Sequence, residues 1–326
     1  NNILGTSVSS NGVLSFRTER ATSGALQLTW LDRNGKTIQT IGDPGPYLGI
    51  DISRDGKKLA VHRHETNGGN IWITDGSTPL SKLTFDAAQD NSSPLWSPDG
   101  TKIAFSSLRE GKWGIYLKPA DGTGAEELIL QQPSSINAVS WSPDGKYLLY
   151  NLNGPKTASD VWAVPVTGDR KPIPILENRG AEILPQVSPD GKWIAYASNE
   201  SGRFEIHVRP FPSGSGHWQL TTTGSGNYSV RWRGDSKEIY YISADSSSKL
   251  MAIPVTASGT TFQADAPKAL FESRYIGIGH TPGYHDFAVS PDGQRFLIPV
   301  PSASLNISSV TPPIDVIVNW TTLLRH

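Results

Sequence analysis

Few side chains in this sequence stand at spacings that support chemistry. His62 and His64 alternate along a strand-like stretch and so share one face. A zinc pair could be built that way, but no third ligand lies near them in sequence, and a solvated strand end is the expectation. His64-Glu65 lacks the second His of a helical zinc motif. Asp86 and Asp90 precede Pro94-Leu95-Trp96 and could hold calcium or a sugar hydroxyl. They could equally cap turns through local backbone bonds, the reading favoured by the lack of closely alternating acids around a central Gly. His207 falls in the column that Trp72, Tyr116 and Trp162 occupy elsewhere, which points to packing. Gly277-Ile278-Gly279 with Gly283 misses the dinucleotide spacing. Neither Gly214-Ser215-Gly216 nor Gly224-Ser225-Gly226 places Gly two residues either side of a nucleophilic Ser, and His285-Asp286-Phe287-Ala288 puts Ala where a kinase triplet needs Gly. With no cysteine in the chain, disulfides, thiolate metal sites and cysteine nucleophiles are excluded. No catalytic residue, metal or cofactor is therefore expected.

Composition narrows the field further. Among 326 residues, 29 Lys and Arg nearly balance 30 Asp and Glu, for a net charge of -1. No positive field offsets a phosphate backbone, so nucleic acid is not an expected partner. No apolar run approaches the roughly 20 residues that span a bilayer, so membrane insertion by this chain is not expected either. No signal peptide opens the sequence; if the protein is exported, its targeting segment lies outside it. The 32 Gly, 24 Pro and ten Trp against one Met suit short strands and tight turns, not a helix bundle.

The elements that must carry these residues announce themselves by repetition. Ser97-Pro98-Asp99-Gly100 recurs at Ser142, Ser188 and Ser290, with a near copy at Ser53-Arg54-Asp55-Gly56. Degenerate copies begin at Ser9 and Arg233. Starting positions 9, 53, 97, 142, 188, 233 and 290 give steps of 44, 44, 45, 46, 45 and 57. Proline presets φ in a turn, Asp bonds its own local backbone, and Gly takes the φ > 0 position, so each copy reads as a strand-to-strand turn. A short apolar strand precedes each turn, and two more follow, such as Lys102–Phe105 and Gly114–Leu117. A weaker fourth completes about 45 residues, the length of one propeller blade. The fold class is all-β: a single β-propeller domain over residues 1–326, seven-bladed by this count, with six or eight as alternatives. The last unit takes Ile314–Trp320 as its third strand, leaving its outermost strand short or supplied by the N-terminal residues.

The Ser-Pro-Asp-Gly turns all lie on one face of such a ring. The loops from second to third strands, and from blade to blade, lie on the other. The latter are the variable ones, as binding loops on rigid scaffolds are. Candidate ligand-binding residues on that face are Asp86, Asp90, Arg179, Glu182, Tyr228, Tyr275, His280 and Tyr284, with a protein, peptide or glycan as partner. The stretched step of 57 puts extra residues partly in Thr256–Pro267 and partly in Ser273–His285. The second stretch is expected to arch over the channel mouth, with Tyr275, His280 and Tyr284 exposed beside the main pocket.

The Trp-Ser-Pro-Asp-Gly units at Trp96 and Trp141, with Ile-Ala-Phe-like strands behind them, resemble the propeller repeats of the TolB family. Leu28-Thr29-Trp30-Leu31-Asp32-Arg33-Asn34-Gly35-Lys36, Ser201–Pro212 and Ser290–Ile298 are similar to the C-terminal propeller of membrane-anchored bacterial Ser/Thr protein kinases of acidobacterial type. That resemblance implies an extracytoplasmic sensor or binding propeller, periplasmic or extracellular, joined elsewhere to a kinase. It implies no catalytic residue in the propeller. The leading reading is a non-catalytic binding module. A propeller enzyme acting on polysaccharide, or a surface scaffold, are the alternatives.

Overall fold

The computed structural model describes residues 3–8, 13–18, 25–65, 68–85, 90–153, 159–177, 180–245, 248–272, 283–302 and 315–318. Among them there is no helix, and so none long and apolar enough to cross a membrane.

The strands form six antiparallel blades around a channel. The first blade runs outward as Tyr47–Ile52, Leu59–Glu65, Gly68–Thr74 and Ser81–Lys82. The second is Asp90–Trp96, Lys102–Arg109, Lys112–Pro119 and Glu127–Gln132. Ile136–Trp141, Tyr147–Leu152, Asp160–Pro165 and Ile173–Leu176 make the third. Glu182–Val187, Trp193–Ser198, Glu205–Pro210 and Trp218–Gln219 make the fourth. In the fifth, Ser225–Trp232 and Glu238–Ser243 lead to the long strand Lys249–Ser258, which pairs with both Thr261–Ala264 and Lys268–Glu272. That added hairpin accounts for part of the stretched repeat, in the Thr256–Pro267 stretch where it was expected.

The sixth blade joins the two ends of the chain. Ala288–Val289 and Arg295–Pro301 supply its inner strands, while Leu26–Asp32 and Thr37–Gly45 supply its outer ones. This corrects the count of seven. The unit around Ser9 is not a blade: Ile3–Val8 and Val13–Thr18 pair with each other and with Asp315–Val318 in a separate three-stranded sheet. Asp315–Val318 is therefore not the third strand of the last blade, and both outer strands there come from residues 26–45.

Each blade buries both faces against its neighbours. Six apolar clusters fill the six interfaces between successive blades. In the second blade, Ile103 and Phe105 pack toward the first blade while Ala104, between them, packs toward the third. Strict alternation with both faces covered is why the second strands read as unbroken apolar runs.

The repeated turn works as its residues dictate. Ser97 Oγ donates to Asp99 Oδ1 at 2.6 Å, the same carboxylate accepts the Thr101 N–H at 3.0 Å, and Ser97 Oγ accepts the Lys102 N–H at 2.9 Å. The copies at Ser142 and Ser290 repeat this set. Gly145 closes its turn at φ +76 with open space where a Cβ would stand. Gly145→Val therefore tests backbone strain without a clash, and is expected to lower stability by about 1–3 kcal/mol in urea unfolding. An unchanged unfolding midpoint would show that the left-handed turn is not needed.

Candidate functional site

Six residues of the inner strands each stand two positions before their blade's turn: Asp51, Leu95, Ser140, Gln186, Arg231 and Ala288. Five of them line a cavity of about 160 Å³ with Trp96, Trp141, Val139, Pro98, Pro143 and Pro189. Beside it a wider funnel of about 500 Å³ lies among Arg54, Trp232, Asp235 and Pro291. Both spaces lie at the face that carries the Ser-Pro-Asp-Gly turns.

The floor of the cavity is an ion pair across the ring. Arg231, 4% exposed, reaches from the fifth blade to Asp51 of the first, Nη1 to Oδ1 3.5 Å. Its remaining donors go to the carbonyls of Phe287 at 3.0 Å and Ile50 at 2.8 Å. Asp51 Oδ2 accepts the Trp96 N–H at 2.8 Å, tying the first blade to the second. Burial raises the Asp51 carboxyl above its usual range, and Arg231 and that N–H offset only part of the rise. Gln186 does for the fourth and fifth blades what Asp51 does here: its Oε1 accepts the Trp232 N–H at 2.7 Å. Ser140 Oγ likewise accepts the Val187 N–H at 3.2 Å.

Arg54 spans the mouth. It stands where four of the other five turns carry proline, and its guanidinium donates to the carbonyls of Pro143 at 3.4 Å and Pro189 at 3.2 Å, two turns of other blades. The residue that made this repeat only a near copy is thus the one that crosses the opening.

From the opposite side the channel is filled by chain. Gly283 O accepts from Ser93 Oγ at 3.1 Å, His285 O accepts the Ile50 N–H at 3.0 Å, and Asp286 N–H donates to Ser229 Oγ at 3.4 Å. His285 Nε2 donates to Val139 O at 2.7 Å. Residues 283–287 therefore touch the inner strands of the first, second, third and fifth blades. Burial, reinforced by the Arg231 charge, holds the His285 imidazole well below its ordinary value of 6.5.

Several sequence expectations change here. Tyr284, expected to be exposed, is 8% exposed and packs on His62 with ring centres 5.4 Å apart. Glu182 is fully buried, with Oε1 accepting from Ser198 Oγ at 3.2 Å. His62 is not a solvated strand end: it is fully buried, while His64 beside it is half exposed. Asp90, a quarter exposed, lies 3.4 Å from His62 Nε2 and 3.5 Å from His64 Nδ1. His207 packs as expected, fully buried with its ring centre 5.7 Å from that of Tyr196 and 4.8 Å from that of His217. Tyr228 lies in the strand Ser225–Trp232; Asp86, Arg179, Tyr275 and His280 lie outside the described residues. The channel ring itself escaped the sequence reading, although counting two residues back from each turn picks out its only charged members, Asp51 and Arg231.

Residues 13–154 match the TolB beta propeller domain family. The Tol-Pal system protein TolB of Francisella tularensis is 27% identical over 201 residues, 60% of this chain and 46% of that protein. The uncharacterized peptidase YuxL of Bacillus subtilis is 27% identical over 186 residues, 44% of this chain and 28% of that protein. The chain thus spans half or less of the length of these relatives. Among solved structures, a protein provisionally called TolB from Agrobacterium tumefaciens superposes with a TM-score of 0.61 at 21% identity, covering 84% of this chain and 97% of that one. The fold is a TolB-like β-propeller of four-stranded antiparallel blades.

Two outcomes follow from the channel. Arg231→Met leaves Asp51 and two carbonyls without their buried partner and is expected to cost about 3–5 kcal/mol in chemical unfolding. Adding Asp51→Asn should recover part of that loss, and a purely additive pair would refute the cross-channel coupling. His285 stays neutral in the folded state but takes up a proton on unfolding once pH falls below 6.5. Stability should therefore fall with decreasing pH below that value, with His285 contributing about 1.4 kcal/mol per pH unit. The slope should be shallower in His285→Gln; an identical slope would show that His285 is not held neutral.

Proposed function

We propose that this propeller is a non-catalytic recognition module that binds a protein partner, as an extended segment, at the turn-face mouth of its channel. The observation that carries the reading is the cavity walled by Trp96 and Trp141 and floored by the Asp51–Arg231 pair. Aromatic walls offer apolar contact, and a charged floor fixes the orientation of an entering chain. Arg54 holds the mouth only through two exposed hydrogen bonds, each worth little net, so a partner's carboxylate or carbonyls can take them over. The likeness to TolB-type propellers agrees with a protein-binding role. The similarity to kinase-linked propellers adds an extracytoplasmic setting and a kinase elsewhere as the element that reports binding.

The absence of cysteine gives a clean test, since single-cysteine variants carry a photocrosslinker at one chosen place. Pro98→Cys puts it at the cavity, and Lys112→Cys puts it at an exposed position on the opposite face. In extracytoplasmic extract of the source cells, the same protein should crosslink through position 98, and Arg54→Ala with Arg231→Met should remove it. Crosslinking through position 112 alone would move the binding surface to the loop face. Turnover of peptides or polysaccharides by the purified chain would replace the binding reading with an enzymatic one.

A further inference from the structure

His62, His64 and Asp90 come together between the first and second blades, and the fold leaves polar atoms of His62 and Asp90 unmatched. His62 is fully buried, yet neither ring nitrogen has a hydrogen-bond partner, and Asp90 Oδ1 is likewise without one. A neutral imidazole carries one N–H and one lone pair, so burying both unpaired is costly whichever tautomer is present. Asp90 Oδ1 stands 3.4 Å from His62 Nε2 and 3.5 Å from His64 Nδ1, too far for good hydrogen bonds. Two ligand atoms bound at about 2.0–2.1 Å to a tetrahedral ion lie about 3.3–3.4 Å apart, which is close to these separations. All three ligand atoms fall within 4.8 Å of one another.

The surroundings keep that space open. Gly69, which pairs with His64 across the strands, has no side chain; a Cβ there would stand 1.9 Å from His62 Nε2 and 2.4 Å from Asp90 Oδ1. Tyr284 packs on the His62 ring, and the His64 ring meets it edge-on at 83°. The half-exposed His64 and partly exposed Asp90 leave one side open to water. The other such cluster, Glu200, His207 and His217, differs in kind, because His207 Nδ1 and His217 Nε2 already hydrogen-bond each other at 2.8 Å.

We propose that His62, His64 and Asp90 bind a first-row divalent cation, with Zn²⁺ the best fit, which pins the second blade to the first on the face opposite the turns. Two imidazoles and one carboxylate are a donor set that Zn²⁺ takes, with water as fourth ligand. The ion supplies the partner that the buried His62 nitrogen lacks and joins residues from two separate sheets.

The test uses the untagged full chain, stripped with EDTA and titrated with Zn²⁺ against a chromophoric chelator. One tight equivalent and a raised Tm are expected, and Co²⁺ should give the visible absorption of a tetrahedral ion. His64→Ala and Asp90→Asn alter partly exposed side chains, so they should keep the fold by circular dichroism while weakening this site at least tenfold. Gly69→Ala should remove the site by displacing the His62 ring from the space a Cβ would take, and His217→Ala should leave the affinity unchanged. The proposal fails if Zn²⁺ binds no tighter than millimolar, or if binding survives His64→Ala and Asp90→Asn. It fails equally if His217→Ala is the substitution that removes it.

Discussion

The seven residue pairs between Leu26–Asp32 and Arg295–Pro301 close the ring, and everything else in the molecule presupposes that closure. Without it the sixth blade would lack two strands and the first and fifth blades would each lose a covering face. A sheet that buries apolar residues on both sides is stable only when both neighbours are present. The joint is reinforced by Arg33, on the turn after Leu26–Asp32. It forms a two-point ion pair with Glu238 of the fifth blade, 3.1 and 2.9 Å, and donates to the Gly293 carbonyl at 2.9 Å. One side chain thus holds the N-terminal strand, the C-terminal turn and a neighbouring blade together.

Closure also sets the width of the channel, and with six inner strands the channel is narrow enough for side chains to bridge. Arg231 of the fifth blade reaches Asp51 of the first across this width. Arg54 spans two turns for the same reason, and His285 reaches Val139 from the other end. The site at the turn face is therefore less a pocket added to a scaffold than the part of the channel that residues 283–287 leave unfilled.

The blade architecture was legible because each Ser-Pro-Asp-Gly turn is enforced locally, by bonds among residues at most five apart. The number of blades was not, and the reason lies in the terminal units. The stretch from Ile3 to Gly45 has the order of a complete unit: a hairpin, then two further strands, 44 residues before the next turn. A local motif reports that a hairpin exists and is silent on which strand its edge will pair with. Leu26–Asp32 takes Arg295–Pro301 as its partner, leaving the first hairpin to pair with Asp315–Val318. The channel ring was half legible in the same sense. Its positions follow from the repeat, but the contact between Asp51 and Arg231 joins residues 180 apart, and only the closed ring brings them together. His62 and His64 were visible as a pair, whereas Asp90 came into reach only once the first and second blades were packed side by side.

The same packing makes the two ends of the channel one structure. Tyr284 lies on the His62 ring at the loop face, and His285, next in sequence, anchors to Val139 on the cavity wall. Two residues further, the Phe287 carbonyl takes a hydrogen bond from Arg231 on the cavity floor. Four consecutive residues thus run from the histidine cluster to the charged floor, held in turn by the first, third and fifth blades. A shift of that segment at one end must either break one of these contacts or be passed along the chain to the other. Interiors packed this closely do not deform gradually, so the segment acts as a strut: what fixes His62 in place also fixes the carbonyl that holds Arg231 toward Asp51.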